Sequence, residues 1–339
     1  MPAARFGRVI QPAPALRIRD LHKSYGTVHA LRGIDLTIRP GQFFGLLGPN
    51  GAGKSTTIHI LTGLVTFGRG EVQVLGRDVA LDYRFTRRVI GLSPQEFRFD
   101  RFFPIREILI LQGGYYGIPR EEASRRADRL LERFGLAGKA DHKIHRLSGG
   151  MKRRLVIAKA MIHDPEILIL DEPTAGVDVE LRRSLWAYLR ELNRQGKTVV
   201  LTTHYIEEAE ALCDEVAIID QGRIVAQDAP QRLVEAGGDR RLEIELAAPP
   251  ADGLPPSLAP HGPRLDGRLL SISAAHPRRI LPGVLEDLYA ADLKIEEVRI
   301  VESSLEEVFI RLTGRSINVD TDARRLEDGT EKQGADEAA

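Results

Sequence analysis

The chain has 339 residues, of which 42% are hydrophobic, and it carries 48 Lys and Arg against 48 Asp and Glu. This length allows a large buried core, and we expect one large domain, alone or with a smaller one. Because the formal net charge is zero, no overall field favours nucleic acid as a partner. No apolar run approaches the roughly 20 residues of a membrane helix, so we expect no membrane span.

Both ends of the chain have the composition of disordered segments. Residues 1–14 lack the apolar core of a secretory signal and predict a disordered leader. Residues 318–339 are acidic, contain almost no apolar side chain and predict a disordered tail. Between these ends, Cys213 is the only cysteine, which excludes an internal disulfide and indicates a packing residue in a reducing compartment.

The elements, taken in chain order, predict an α/β fold. Alternating apolar residues from Leu16 to Ile38 indicate a small antiparallel β layer. The buried-strand run Phe43–Leu47 follows, then a glycine-rich segment, then a helix over Lys54–Leu64. Later strands and helices alternate, which suits a parallel sheet covered by helices. We expect strands at Ile167–Leu170, Thr198–Thr202 and Glu215–Ile219, and helices at Glu180–Asn193 and Ile206–Cys213.

Two regions depart from this alternation. Residues 105–162 carry Arg, Glu, Ala and Leu at helical spacing, which predicts an inserted helical subdomain over about 96–163. After residue 237, a proline-rich stretch separates two strand-like segments, Leu242–Leu246 and Leu269–Ile272. We therefore expect the main domain to span residues 15–236 and a small α+β domain to span 240–313.

The glycine-rich segment has the full P-loop pattern between a strand and a helix, where that pattern belongs. Its residues are Gly48, Pro49, Asn50, Gly51, Ala52, Gly53, Lys54 and Ser55. Backbone amides and the positive helix end would hold phosphates, with Lys54 on the terminal ones. Ser55 would hold Mg²⁺ and Thr56 would add a phosphate hydrogen bond. The alternative is a glycine-rich turn that only resembles a P-loop.

An acidic pair follows the apolar strand Ile167–Leu170. Asp171 and Glu172 stand at the strand's carboxyl end, where α/β sheets place their ligands. This pattern is typical of a Walker B site, in which Asp171 holds Mg²⁺ and Glu172 polarises the attacking water as general base. The alternative is a helix-starting turn with a solvated Glu172.

A Ser-Gly-Gly turn precedes a helix that we predict to be basic and amphipathic, Lys152–His163. At Ser148, Gly149 and Gly150, free amides, a hydroxyl and the helix dipole converge, as a phosphate site requires. By itself this signal is weak, and a plain helix N-cap is the alternative.

The order of these motifs resembles the nucleotide-binding domain of ABC transporters. The matching elements span nearly all of residues 15–235 and are the P-loop, Gln95, Leu147–Gly150, Ile167–Glu172, Ala175–Asp178 and His204. Leu147–Leu155, Asp171–Asp178 and Thr202–Glu210 look most like the ATPase subunits of ABC-2 type exporters, close to the YadG-like branch. Glu302–Gly314 is similar to the C-terminal extension of that group.

The resemblance implies a fold and an activity. The fold would be a P-loop NTPase cassette with a mostly parallel sheet, an antiparallel β layer and an inserted helical subdomain. Two copies of the chain would enclose two ATP molecules head to tail and hydrolyse them with Mg²⁺. The pair would drive a separate membrane permease of the ABC-2 type at the cytoplasmic face of the membrane, and no nucleic acid partner is implied.

The resemblance also implies roles for single residues. Tyr25 would stack on adenine, with a core or turn tyrosine as the alternative. Gln95 would contact Mg²⁺ or the lytic water, with a surface amide as the alternative. His204 would hydrogen-bond the γ-phosphate, with a satisfied histidine at a strand end as the alternative.

Other residues would act across the pair of copies. Ser148 and Gly150, with Gly149 between them, would contact the γ-phosphate held by the second copy. Asp178 would lie at the shared interface, with a solvated loop acid as the alternative. Two departures from the common pattern, Met151 after the signature and Val177 before Asp178, look usual for the exporter branch.

Aromatic residues follow Gln95, where the family meets its membrane partner. They are Phe97, Phe99, Phe102, Phe103, Tyr115 and Tyr116. One hypothesis makes them the surface that contacts the permease, and the alternative makes them core residues.

Two other functions compete with an export ATPase. One is an ABC ATPase outside transport, such as a translation factor or DNA-repair machine, but the chain has one P-loop and no sustained heptads. The other is a regulatory cassette that binds ATP without turnover, and the intact Glu172 and His204 argue against it. The transported substrate is not predicted.

Overall fold

The computed structural model describes residues 13–96, 99–175, 177–237, 240–250, 253–274, 276–301 and 304–316. The chain forms two compact units, divided between Ala229 and Pro230. The acidic tail and all but two residues of the predicted leader lie outside the described residues. The domain bounds at 236 and 240 stay a prediction.

The first unit contains the following elements in chain order. They are β1 (Leu16–Tyr25), β2 (Val28–Ile38), β3 (Phe43–Leu47), α1 (Lys54–Leu61), β4 (Arg69–Val74), β5 (Arg77–Asp78), α2 (Tyr83–Val89), β6 (Ile90–Ser93), α3 (Ile105–Tyr115), α4 (Arg120–Arg133), α5 (Gly149–Met161), β7 (Ile167–Asp171), α6 (Val179–Arg194), β8 (Thr198–Thr203), α7 (Ile206–Leu212), β9 (Glu215–Asp220) and β10 (Arg223–Asp228).

The predicted antiparallel layer is confirmed. Its strand order is β2-β1-β4-β5, and β1 pairs antiparallel with both β2 and β4. The alternating apolar residues form its buried face, since Leu16 lies opposite Ile38 and Ile18 opposite Leu36, and all four are buried. Strands β4 and β5 were not predicted, because they are short and carry little apolar alternation.

The main sheet has the order β10-β9-β3-β8-β7-β6, and its strands are parallel except for the edge strand β10. This confirms the mostly parallel sheet. Strands β3 and β7 are buried along their whole length. In the register, Leu47 lies opposite Thr203, and Asp171 lies opposite Thr202. The carboxyl ends of β3, β7 and β8 therefore meet at one edge, which is where the candidate site forms.

The segment between β6 and β7 is helical, as the composition indicates, and contains α3, α4 and α5. The amphipathic character predicted for the helix over Lys152–His163 is wrong. None of the residues from Gly150 to Met161 is exposed, because α5 packs against α3, α4, β6 and β7. Even Arg153 on this helix is buried. Among the described residues, no helix is both long and apolar enough to cross a membrane.

The second unit is a small α+β structure. Its elements are α8 (Pro230–Gly237), β11 (Arg241–Leu246), β12 (Arg264–Asp266), β13 (Leu269–Ser273), α9 (Pro277–Ala290), β14 (Ile295–Val301) and α10 (Leu305–Thr313). The antiparallel sheet has the order β12-β13-β11-β14. Leu242 and Ile244 of β11 belong to a core that includes Val284 and Leu288 of α9. The strands predicted over 242–246 and 269–272 are confirmed.

Candidate nucleotide-binding site

Glycines shape the loop between β3 and α1. Gly51 and Gly53 have φ angles of 78° and 113°, in the left-handed region that favours glycine. At Gly48, an added Cβ would lie 2.4 Å from the carbonyl oxygen of Ile219, so the close approach to β9 excludes any side chain there. Helix α1 begins at Lys54, directly after the loop, and its positive end therefore lies at the loop.

Lys54 is a buried cation directed into this loop. Its Nζ atom donates to the carbonyl oxygen of Gly48 at 2.6 Å and to that of Pro49 at 3.2 Å. The same atom lies 3.7 Å from Oε1 of Glu172. Burial lowers the pKa of Lys54, while Glu172 and Asp171 act in the opposite direction, and the pKa stays below its usual value.

The acidic pair at the end of β7 is held by the neighbouring strand. Asp171 is buried, and its Oδ1 accepts a hydrogen bond from Oγ1 of Thr202 at 2.5 Å. The backbone N–H of Glu172 donates to the same hydroxyl at 3.0 Å and to the carbonyl oxygen of Thr202 at 3.1 Å. Glu172 has a φ of 47°, a left-handed conformation that costs a non-glycine residue about 1–2 kcal/mol. Thr202 therefore fixes both the carboxylate of Asp171 and the turn at Glu172.

Glu172 is the centre of a polar cluster, although its side chain is only 8% exposed. Nε2 of Gln95 donates to its Oε2 at 2.9 Å, and Nδ1 of His204 lies 3.3 Å from its Oε1. Burial raises the pKa of Glu172, but the opposing effects of His204 and Lys54 are together larger, and the pKa falls below its ordinary value. The carboxylate is therefore ionised at neutral pH.

The structure thus brings together side chains from four separate parts of the sequence: Lys54, Gln95, Asp171 with Glu172, and His204. Gln95 is exposed, but its hydrogen bond to Glu172 distinguishes it from an ordinary surface amide. Thr202 belongs to the same cluster, and sequence reasoning did not find it. The only signal was its place at the end of a strand, because the pairing of β7 with β8 depends on tertiary structure.

The oxygen atoms at this edge fit a hard divalent cation such as Mg²⁺. Ser55 offers a hydroxyl, Asp171 a carboxylate, and Gln95 keeps its Oε1 because only its Nε2 bonds to Glu172. Within the described part of the chain, no three His, Cys, Asp or Glu side chains form a metal cluster by themselves. The donor set therefore suits Mg²⁺ that shares its remaining ligands with phosphate groups and water.

Other predicted site residues lie at helix starts. Oγ of Ser148 caps α5 by accepting the N–H of Met151 at 3.3 Å, and Oδ1 of Asp178 caps α6 by accepting the N–H of Leu181 at 2.9 Å. A Cβ added to Gly150 would lie 2.3 Å from Cδ2 of Leu181, so the two capped ends abut. In the single chain, Ser148 and Asp178 therefore act as helix N-caps. Their roles toward a second copy of the chain stay a prediction.

Tyr25 lies at the end of β1 in the antiparallel layer, and it is distant in sequence from the residues of this cluster. Its ring is exposed, and Nζ of Lys23 lies 4.8 Å from the ring centroid. An exposed ring is not a core tyrosine, so that part of the alternative is wrong. The role in adenine stacking stays a prediction.

The comparisons with known proteins all indicate the same family. The model of the ABC transporter domain matches residues 31–175. The Nod factor export ATP-binding protein I of Ralstonia nicotianae is 38% identical over 315 residues, which cover 92% of this chain and 97% of that protein. The linearmycin resistance ATP-binding protein LnrL of Bacillus subtilis is 37% identical over 308 residues, 89% of this chain and 99% of that protein.

Solved structures agree with these relatives. The ATP-binding subunit of an ABC transporter matches with a TM-score of 0.61 and 29% identity, over 66% of this chain and 92% of that one. A dimeric ATP-binding cassette in a post-hydrolysis state, bound to ADP and Pi, matches with a TM-score of 0.59 and 29% identity, over 63% of this chain and 98% of that one. The chain therefore belongs to the ABC transporter family, as one of its ATP-binding subunits.

Proposed function

We propose that this chain is the ATPase of an export system, hydrolysing ATP as a dimer to drive a separate permease of the ABC-2 type. ATP binding and hydrolysis follow from membership of the family. The observation that carries the catalytic part is the cluster of Lys54, Gln95 and His204 around an ionised Glu172. Export is proposed because the names of two relatives describe Nod factor export and linearmycin resistance.

Glu172 acts as general base on the attacking water. Its lowered pKa keeps it ionised at neutral pH, and Gln95 fixes its Oε2. His204 turns Nδ1 to the carboxylate, which leaves its Nε2 for an oxygen of the γ-phosphate. Lys54 exchanges the carbonyl oxygens of Gly48 and Pro49 for oxygens of the terminal phosphates when ATP binds, so its charge stays compensated.

The remaining P-loop residues hold the phosphates and the metal. Gly48 to Gly53 bring backbone amides to the phosphate chain, and Thr56 adds a hydroxyl on the first turn of α1. Ser55, Asp171 and Gln95 would hold Mg²⁺, which when bound would supply positive charge against the phosphate oxygens.

A second copy completes each site. Ser148 and Gly149 at the start of helix α5 are exposed, and the residues after them in the helix are buried or half-buried. A helix that is exposed mainly at its positive end suits a phosphate group brought by another molecule. Asp178 and Gly150, at the abutting starts of α6 and α5, lie at the same interface, and Tyr25 stacks on adenine. The dimeric form of a similar cassette supports this arrangement.

The aromatic segment after Gln95 contacts the permease. Phe102 and Tyr115 are 80% and 85% exposed, and Phe103 is also exposed, so these three are not core residues. Tyr116 differs, since it stacks on His163 at 3.7 Å and belongs to the packing of the first unit. Phe97 lies outside the described residues. Through this contact the chain would be held at the cytoplasmic face of the membrane.

The substitution Glu172→Gln tests the catalytic assignment. It keeps the size of the side chain and an oxygen acceptor for Gln95, but removes the base. General bases contribute about 10²- to 10⁴-fold, so we expect ATP turnover to fall by that factor while ATP binding is retained. In size-exclusion chromatography with Mg-ATP, the variant should accumulate as an ATP-bound dimer. Turnover equal to that of the unchanged chain would remove Glu172 from this role.

A further inference from the structure

Strand β14 of the second unit has a free edge. It pairs with β11, and it stands at the end of the strand order β12-β13-β11-β14 in the described residues. Four consecutive residues, Glu296 to Arg299, are exposed, including Val298. Free strand edges offer unpaired backbone groups to another strand, and proteins commonly cover them or protect them with charge. The charges on this edge therefore decide which strand fits it.

The charges on β14 are complementary to the same strand running in the opposite direction. Val298 is the central residue of the seven that form β14. If two copies of β14 pair antiparallel about a twofold axis at Val298, Glu297 of each copy lies opposite Arg299 of the other. Opposite charges directly across a strand pair are stabilising. In the single chain these two side chains pair with each other, at 2.6 Å between Nε and Oε1, and Arg299 also interacts electrostatically with Glu245 and Glu243 of β11.

The neighbouring registers are unfavourable. A twofold axis perpendicular to the sheet keeps the corresponding faces of the two strands on the same side of the sheet. In every register that this axis allows, one residue of β14 therefore lies opposite its own counterpart. An axis at Glu297 would place two glutamates opposite each other, and an axis at Arg299 would do the same with two arginines. Like charges directly opposite destabilise a strand pair. Of these three registers, the charge pattern therefore favours the one centred on Val298.

We propose that β14 is a second contact between copies of this chain, joining two second units into one continuous antiparallel sheet. Val298 meets its own counterpart, and two Glu297–Arg299 ion pairs flank it. The contact uses no residue of the candidate nucleotide site, so it forms without ATP. It goes beyond the proposed function, and its failure would leave the ATP-bound dimer untouched.

Cross-linking tests the register directly. Residues opposite each other in antiparallel strands have Cα atoms about 4.5–5.5 Å apart, within the 4.4–6.8 Å that a disulfide spans. The variant Val298→Cys of the full chain, oxidised with copper-phenanthroline without nucleotide, should form a disulfide-linked dimer. Tyr289→Cys is the control, because it is also exposed and lies on α9 of the same unit. The native Cys213 is buried and common to both variants.

A charge exchange tests the chemistry of the contact. Glu297→Arg or Arg299→Glu places like charges across the axis, and each should reduce the rate of the Val298→Cys cross-link by about tenfold. The double exchange Glu297→Arg with Arg299→Glu should restore it. All these positions are exposed, but Arg299 lies opposite Glu243 of β11, so circular dichroism must show that each variant keeps the fold of the unchanged chain. A Val298→Cys cross-link no faster than that of Tyr289→Cys overturns the proposal, as does a double exchange that fails to rescue.

Discussion

Replacing Thr202 with Val removes one buried hydroxyl and nearly preserves the shape of the side chain. That hydroxyl donates to Oδ1 of Asp171 at 2.5 Å and accepts the N–H of Glu172 at 3.0 Å. The N–H of Glu172 keeps a second acceptor, the carbonyl oxygen of Thr202, so the larger loss falls on Asp171. A hydrogen bond to a charged group is worth about 1.5–3 kcal/mol. For a domain of this size, Tm should therefore fall by about 3–12 °C.

Thermal unfolding of the full chain, followed by tryptophan fluorescence, measures this loss. The chain has one tryptophan, Trp186 on α6, so its signal reports on the first unit. Thr202→Ser is the matched control, because it keeps the hydroxyl and loses only the methyl group. Thr202→Val should also lower ATP turnover, since it loosens both acidic residues, while Thr202→Ser should largely retain it. A Tm for Thr202→Val equal to that of the unchanged chain, or lower for Ser than for Val, would refute the reasoning.

Two further predictions concern pH and the P-loop. Burial lowers the pKa of His163 to about 4, so the unfolded chain takes up a proton first and the folded state loses stability as the pH falls from about 6.5 towards 4. His163→Phe keeps a ring for Tyr116 to stack on and should flatten the curve of Tm against pH over this window; an unchanged slope would contradict it. Gly48→Ala should lower Tm by more than Gly51→Ala does, because a Cβ at Gly48 meets the carbonyl oxygen of Ile219 at 2.4 Å. Gly51→Ala meets open space at a φ of 78° and should cost only about 1–2 kcal/mol, so an equal Tm loss in the two variants would argue against the clash.

The motifs of the site could be predicted because their chemistry lies in contiguous residues. The P-loop joins a buried strand to a helix, and the glycines at 48, 51 and 53 occupy positions where the backbone geometry favours or requires glycine. Asp171 and Glu172 end a wholly buried strand, so their place at the sheet edge followed from the apolar run before them. Cys213, predicted as a packing residue, is buried, and its Sγ would lie 2.8 Å from a Cβ at Gly45.

Features that depend on tertiary packing could not be predicted. Thr202 reaches Asp171 only because β7 and β8 are neighbours, and α5 is buried on most sides because two helices and two strands surround it. The buried carboxyl group of Glu208 accepts a hydrogen bond from Nε1 of Trp186 at 3.2 Å. Burial raises its pKa above the usual value. No sequence pattern marks this pair, because the two residues are 22 positions apart and meet only through tertiary packing.

Isolation of the chain from its own membranes tests the central claim most directly. The tagged chain is recovered from detergent-solubilised membranes, and the proteins that accompany it are identified by mass spectrometry. The control is a variant with Phe102→Ser and Phe103→Ser, which removes two exposed aromatic rings without touching the nucleotide site. We expect a polytopic membrane protein with the unchanged chain and much less of it with the variant. Recovery of only soluble partners, such as ribosomes or DNA-bound proteins, would contradict a transport function.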